Sequence, residues 1–288
     1  MAPLHLGLIL PNYGPALDAE RLAEVAVAAE DAGFDSGWVT DHVIVPPEHA
    51  PIYGTIAEAL VSLGFLAGRT TRLQLGVSAL VVPQRNPLVA LKQLTTLDFL
   101  SGGRIVTAVA AGWMEGEFEL LGAEFASRGR RLNDWLRLAQ SAFDQMPGEI
   151  DDLDGWLAPA LARPGGPELW VAGVSRATLR RAAVTGIWHP VALAPPELRA
   201  LAGELREQRS DSRVVLRINV YLQETPEQGA DERGRHAIAG PPAWVAERLR
   251  EYVDAGCDGF VVNLDHETPG LEERLRRFAD EVVPFLDA

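Results

Sequence analysis

The sequence predicts a (β/α)8 TIM barrel of the α/β class, and three observations carry that prediction. Short apolar runs and helical patterns alternate eight times along 288 residues. The runs are continuous in apolarity, as parallel strands buried on both faces require. No linker, low-complexity tract or shift in composition interrupts the series, so one domain over residues 1–288 accounts for the chain.

Taken in order, residues 4–10 form the first apolar run, and Pro11-Asn12-Tyr13-Gly14 turns the chain after it. Asp18 caps a helical pattern whose apolar positions are Leu22, Val25, Ala26, Ala29 and Ala32, and Gly33 ends it. The second strand follows and runs out abruptly in Asp41-His42. Residues 58–67 are helical and 73–80 form a strand. The helix over 87–100 has Pro87 in its first turn and stops at Ser101-Gly102-Gly103. The fourth strand, 104–111, ends at Gly112-Trp113, and a long amphipathic helix spans 128–143. Further strands are expected at 169–172, 187–191, 214–222 and 260–263, with helices at 176–184, 196–208, 242–255 and 271–285. Excursions from this pattern are expected at 43–55, 147–167 and 224–240.

Composition narrows the function. Apolar residues at 47% and charged residues at 23% are ordinary for a globular enzyme. A net charge of −14 opposes nucleic acid and anionic lipid alike, so neither is an expected partner. Lys92 is the only lysine, which leaves one candidate for Schiff-base chemistry. Cys257 is the only cysteine, so an internal disulfide is impossible and a reducing cytosol is expected. The first apolar run has no basic flank and is too short for a signal peptide or a membrane span, which again predicts a cytoplasmic protein.

A barrel keeps its chemistry at the C-terminal ends of its strands. That rule selects Asn12, Asp41, His42, Ser78, Gly112, Trp113, Gly173, Ser175, Trp188, His189, Asn219, Tyr221, Asn263, Asp265 and His266. The set is rich in aromatic, amide and imidazole groups and poor in paired carboxylates, which suits a flat organic cofactor. No His-x-His or His-Glu-x-x-His spacing supports a metal site, and no Gly-x-Ser-x-Gly elbow surrounds Ser78 or Ser175. The stretch from Ala172 to Thr178 runs from a strand end into a helix start, where backbone N–H groups and hydroxyls attract an anion. Ser175 serving only as a helix cap explains the same residues equally well.

Several stretches together resemble the luciferase-like monooxygenase superfamily, and most of all its bacterial oxidoreductases dependent on coenzyme F-420. They are Gly33 through His42, Leu75 through Pro83, Arg85-Asn86-Pro87, Lys92 through Asp98 and Ser101 through Arg104. Gly112-Trp113, Glu117-Phe118, Gly122, Arg128-Gly129-Arg130, Trp188-His189-Pro190 and Val245 through Leu249 continue the match. The resemblance implies a luciferase-like barrel, a homodimer, and a deazaflavin or flavin ring at the barrel mouth. It implies a cis peptide between Ser78 and Ala79 and a cofactor-phosphate site at Gly173, Ser175 and Thr178. It makes Asp41 and His42 the catalytic pair, with Asp41 orienting the imidazole. Asn12, Ser78, Ala79, Ala110, Gly112, Trp113 and Trp188 complete the implied cofactor-binding set.

Trp113 stands where the sugar-phosphate dehydrogenase branch has a glutamate, which disfavours that branch. Ala110 and Ala111 lack the arginine with which flavin-binding luciferases hold phosphate, which favours F-420 over FMN. The expected reaction is hydride transfer to or from an apolar or conjugated small-molecule substrate. The alternatives are an FMN-dependent monooxygenase using O₂ and, given the short acidic stretch 145–168, a barrel that no longer binds a cofactor and acts as a ligand-binding or structural protein.

Overall fold

A computed structural model describes residues 3–151, 153–230, 236–268 and 270–286. Its elements are β1 (His5–Ile9), α1 (Ala19–Asp31), β2 (Ser36–Val39), α2 (Ala50–Tyr53), α3 (Ala59–Ala67), β3 (Gln74–Val81), α4 (Pro87–Ser101) and β4 (Ile105–Ala110). Then come α5 (Glu115–Leu120), α6 (Arg128–Gln145), β5 (Gly148–Ile150), β6 (Gly155–Leu157), β7 (Glu168–Ala172), α7 (Arg176–Thr185), β8 (Ile187–His189) and α8 (Pro195–Gln208). The chain closes with β9 (Arg213–Leu222), β10 (Glu227–Ala230), β11 (His236–Gly240), α9 (Pro242–Asp254), β12 (Gly259–Asn263) and α10 (Leu271–Glu281). Short 3-10 turns lie at Pro47–His49, Val82–Gln84 and Val283–Phe285. The strand order β9-β12-β1-β2-β3-β4-β7-β8, with β8 pairing back to β9, is that of a closed eight-stranded barrel, as the alternation of runs predicts.

The chain forms two compact units. The first comprises Met1–Pro11, Asp18–Trp38 and Trp170–Ala288. Its core is set by alternation along the strands. In β9, Val214, Leu216, Ile218 and Val220 share one face, and Val215, Arg217 and Asn219 the other. An aromatic cluster fills the interior: Trp38 lies 4.6 Å from Trp170 and stacks on His189 at 5.4 Å. Ser36 Oγ receives the Trp38 indole N–H at 2.7 Å and stands 2.7 Å from His5 Nε2. Gly7 makes this possible, since a Cβ there would sit 2.7 Å from both Ser36 Oγ and Trp38 Nε1. Each enclosed tryptophan removes roughly 200 Å² from water, a gain of about 5 kcal/mol before entropy is subtracted. Burial pushes the imidazoles down, His5 to about 4 and His189 to about 3, so both are neutral in the fold.

The second unit comprises Asn12–Leu17 and Val39–Leu169. Here β3 pairs in parallel with β4, but the register slips between Ser78 and Leu80 and leaves Ala79 opposite no residue. The Ser78–Ala79 peptide is cis, as the resemblance implies. Asn86 caps α4 with its side-chain oxygen, accepting from Leu88 N at 3.0 Å and Val89 N at 3.2 Å, and Pro87 occupies the position that needs no N–H.

All three expected excursions hold local structure that the sequence does not announce. Residues 43–55 contain a 3-10 turn and α2, and 147–167 contain the antiparallel pair β5–β6. In 224–240, β10 and β11 form an antiparallel pair, and residues 231–235 of that stretch lie outside the described set. β11 runs parallel to the C-terminal half of β9, on the edge that β8 and the single bridge from Val191 to Arg217 leave open beyond Ile218. The expected last helix is split: α10 stops at Glu281 and Pro284, which has no N–H to give, falls in the 3-10 turn that follows. Among the described residues no helix is long and apolar enough to cross a membrane, and no cluster of three or more His, Cys, Asp or Glu could hold a metal.

Candidate active site

In the second unit the chain leaves β2 through Thr40, Asp41 and His42, all buried. Asn12 holds that exit. Its side-chain amide donates to Thr40 O at 2.8 Å and Ala57 O at 3.2 Å, while its oxygen accepts Thr40 N at 2.8 Å. Asn12 therefore clips two loop segments together with its own side chain. A buried amide satisfied in this way fixes the geometry of everything it touches.

Asp41 and His42 do not form the expected pair. Consecutive residues of extended chain point to opposite sides, and each finds a different partner. Asp41 forks onto Arg85, with Nη1 to Oδ2 at 2.8 Å and Nη2 to Oδ1 at 2.6 Å, and Oδ2 also accepts Val81 N at 2.9 Å. Burial alone would lower the Arg85 guanidinium, but the charge and hydrogen bonds of Asp41, helped by Glu58, raise it. Asp41 thus anchors the end of β3, three residues beyond Ser78.

His42 instead meets Glu117 from α5: Nδ1 lies 2.8 Å from Oε2, and both side chains are nearly inaccessible, at 6% and 1%. The other carboxylate oxygen accepts Val43 N at 2.7 Å and, more weakly, Ile44 N at 3.4 Å. Burial would raise this carboxyl, but hydrogen bonds from His42, Val43 and Gln84 hold it below the usual range, so it is ionised at neutral pH. The Tyr53 ring packs 4.4 Å from the imidazole, and Trp113 presents an edge at 6.2 Å. Trp113 also meets His49 at 5.2 Å while remaining 59% exposed, and Val43 and Ile44 are exposed beside the imidazole. The result is a buried imidazole, locked at one nitrogen, with an apolar and aromatic rim.

Gly112 aims Trp113. Its φ of +89° favours glycine, and a Cβ there would fall 2.7 Å from Val81 and Phe118 carbons. Arg128 Nε donates to its carbonyl at 3.2 Å. Ala110, half-buried, ends β4 opposite Val81, and Ser78 is buried opposite Ala108.

The remaining expected cofactor residues belong to the first unit. Ser175 caps α7 as its sequence predicts, accepting Thr178 N at 3.2 Å, and its hydroxyl lies 2.9 Å from that of Thr178. Ser175 is exposed and Thr178 buried, so one hydroxyl at the helix start faces outward and the other supports it. Gly173, at φ +121°, passes so near that a Cβ would meet Thr178 Oγ1 at 3.0 Å.

Trp188 differs from expectation. It aligns with Val171 and Val214, whereas His189 aligns with Ala172 and so shares the face of Trp170 and Trp38. Trp188 is therefore fully enclosed on the opposite face of the sheet and lines no open pocket. Its indole N–H donates to Gly173 O at 2.7 Å, which fixes the loop that leads to Ser175. At the ends of β9 and β12, Asn263 donates to Asn219 Oδ1 at 3.0 Å, and His266 Nδ1 lies 2.7 Å from Asn263 Oδ1, so these three selected residues do meet.

Glu117 and Arg85 are the functional candidates that strand-end logic misses. Glu117 sits in a short helix after a strand end, and Arg85 just past a 3-10 turn, so neither occupies a position the barrel rule selects. The one sequence signal is that both fall within stretches matching a known family.

The model of the luciferase-like monooxygenase family matches residues 7–238. The F-420-dependent glucose-6-phosphate dehydrogenase of Amycolatopsis mediterranei is 37% identical over 131 residues, 44% of this chain and 37% of that protein. The chain spans about a third to a half of the length of the alkanal monooxygenase alpha chains and the glucose-6-phosphate dehydrogenase it matches. The coenzyme F-420-dependent tetrahydromethanopterin reductase of Methanopyrus kandleri superposes with a TM-score of 0.77 at 16% identity, covering 99% of this chain and 100% of the other. The FMN complex of the oxygenating constituent of 3,6-diketocamphane monooxygenase from Pseudomonas putida gives 0.77 at 16% identity, covering 98% of each. At these identities the structural likenesses establish the fold alone.

Proposed function

Because the chain belongs to the luciferase-like monooxygenase family, we propose that it is a coenzyme F-420-dependent oxidoreductase acting on an uncharged, apolar or conjugated organic substrate. The observation that carries this reading is the buried His42, locked at Nδ1 by Glu117 and rimmed by Tyr53, Trp113, Val43 and Ile44. Such an imidazole, tied at one nitrogen, leaves the other to exchange a proton with a bound substrate, and such a rim repels charged substrates.

The residues present fit the cofactor. The helix start at Ser175 and Thr178 has the hydroxyls and dipole that suit a phosphate. Ala79 bulges from β3 in the second unit, where the family resemblance puts the support for the ring. Bound in its reduced form, F-420 would supply a hydride, two electrons with one hydrogen nucleus, to an electrophilic carbon. His42 supplies the accompanying proton, so a C=O or conjugated C=C bond gains two hydrogens and the imidazolium becomes neutral. Asp41 serves by anchoring the β3 end through Arg85, and Trp188 by holding the Gly173 carbonyl.

Ala110 and Ala111, with no arginine at the end of β4, support F-420 over FMN. The FMN-dependent reading, with O₂ as co-substrate, is the rival that the family name and the FMN-bound fold relative motivate. We propose further that the protein works in the cytoplasm as a homodimer, since α3 and α4 leave Val61, Phe65, Leu88, Val89, Phe99 and Leu100 exposed.

The test is anaerobic oxidation of reduced F-420 with a panel of conjugated ketones, enals and quinones. Turnover on at least one acceptor, cut at least 100-fold in His42→Ala, supports the reading. No oxidation by any acceptor, or equal rates in the variant, refutes it.

A further inference from the structure

We infer that Glu117 is the positioning residue for His42: it fixes the imidazole as the Nδ1–H tautomer, makes Nε2 the atom that exchanges the proton, and ties that state to the backbone at Val43 and Ile44. The inference rests on the reading that His42 moves the proton.

An ionised carboxylate accepts and cannot donate. Glu117 is ionised and buried, and Oε2 lies 2.8 Å from His42 Nδ1. The proton between them must therefore belong to Nδ1. A neutral imidazole carries one N–H, so its lone pair is then on Nε2, and Nε2 alone is left to take or give a proton.

The other groups packed against His42 do not compete for that role. The Tyr53 ring lies tilted against it at 4.4 Å, and Trp113 stands perpendicular to it at 6.2 Å. Asp41 is the neighbouring carboxylate in sequence, but it is neutralised by the two-pronged bond to Arg85. Among the described residues Glu117 is the carboxylate hydrogen-bonded to this imidazole.

The second oxygen adds a coupling. Oε1 accepts Val43 N at 2.7 Å and Ile44 N at 3.4 Å, and these two residues expose apolar side chains beside the imidazole. One carboxylate therefore sets both the proton-bearing atom and the backbone of the apolar rim. This gives Glu117→Gln a sharp consequence. The glutamine oxygen must keep facing the Val43 and Ile44 N–H groups, so its NH₂ faces Nδ1. Nδ1 then has to accept, and the neutral ring is forced into the Nε2–H form, so the Nδ1–H ring that proton release from Nε2 would leave is opposed.

The experiment uses the full chain with 15N-labelled histidine. Long-range 1H–15N spectra are recorded through a pH titration, with the His42 signals assigned by their loss in His42→Asn. In the wild type we expect Nδ1–H and an unprotonated Nε2 above the titration. In Glu117→Gln we expect the Nε2–H form. Turnover should fall about 10- to 100-fold, with cofactor affinity within about twofold and partial recovery in Glu117→Asp. A wild-type Nε2–H tautomer overturns the inference, and that measurement needs no variant to fold. An unchanged tautomer in a folded Glu117→Gln protein overturns it too. If both spectra behave as expected but reduced F-420 is never oxidised, the Glu117 assignment stands and the functional reading fails.

Discussion

Asp41→Asn isolates the ion pair that anchors the end of β3. The substitution keeps shape and removes charge, leaving Arg85 only 11% exposed. Stripping one partner from a buried pair costs about 3–5 kcal/mol, because the remaining charge stays desolvated. Glu58, 3.4 Å from Arg85 Nη2 and about a third exposed, offsets part of this. The lower end, about 3 kcal/mol, is therefore expected, or roughly 5–10 °C in Tm for a chain of this length. The assay is thermal unfolding of the apoprotein, with hydrogen exchange of the 78–85 segment as a local readout. The double variant Asp41→Asn with Arg85→Met should recover at least half of the loss, since no buried charge is then left alone. A Tm within about 2 °C of wild type in Asp41→Asn, or a double variant no better than the single, would refute the anchoring role.

Two further outcomes follow from the same geometry. Trp188→Phe keeps the enclosed ring but deletes the bond to Gly173 O; a net loss near 1 kcal/mol predicts cofactor affinity about fivefold weaker, measured by titration, with no change in the pH dependence of turnover. Acid should destabilise the first unit: His5 and His189 titrate near 4 and 3 in the fold but near 6.5 when unfolded, so the unfolded chain binds more protons below pH 6.5. Stability should be pH-independent with respect to these groups above 6.5 and fall steadily towards pH 4; thermal unfolding from pH 8 to 4 checks this, and His189→Gln should flatten the slope.

The sequence discloses the barrel because its signals are local and repeated. Continuous apolar runs, Asn86-Pro87 and Asp18 caps, and Gly102 and Gly186 stops each act within a few residues. The antiparallel pairs β5–β6 and β10–β11 have no comparable signal, since strands of three to five residues are too short for a readable period. The site is legible in position and not in partnership. Strand-end logic selects His42, Trp113 and Ser175, but which carboxylate meets His42 depends on a contact across 75 residues. Adjacency in sequence points to Asp41, and the opposed directions of neighbouring extended residues overrule it. Trp188 shows the same limit. The sequence puts it at a strand end, and only the register with Val171 and Val214 reveals which face it takes.

Cofactor choice is the central claim, and equilibrium titration of the purified apoprotein with F-420 and with FMN, followed by fluorescence, tests it most directly. The account predicts saturable binding of F-420 that weakens in Ser175→Ala, and FMN affinity at least tenfold lower. Tighter binding of FMN, or saturable binding of neither, would contradict it.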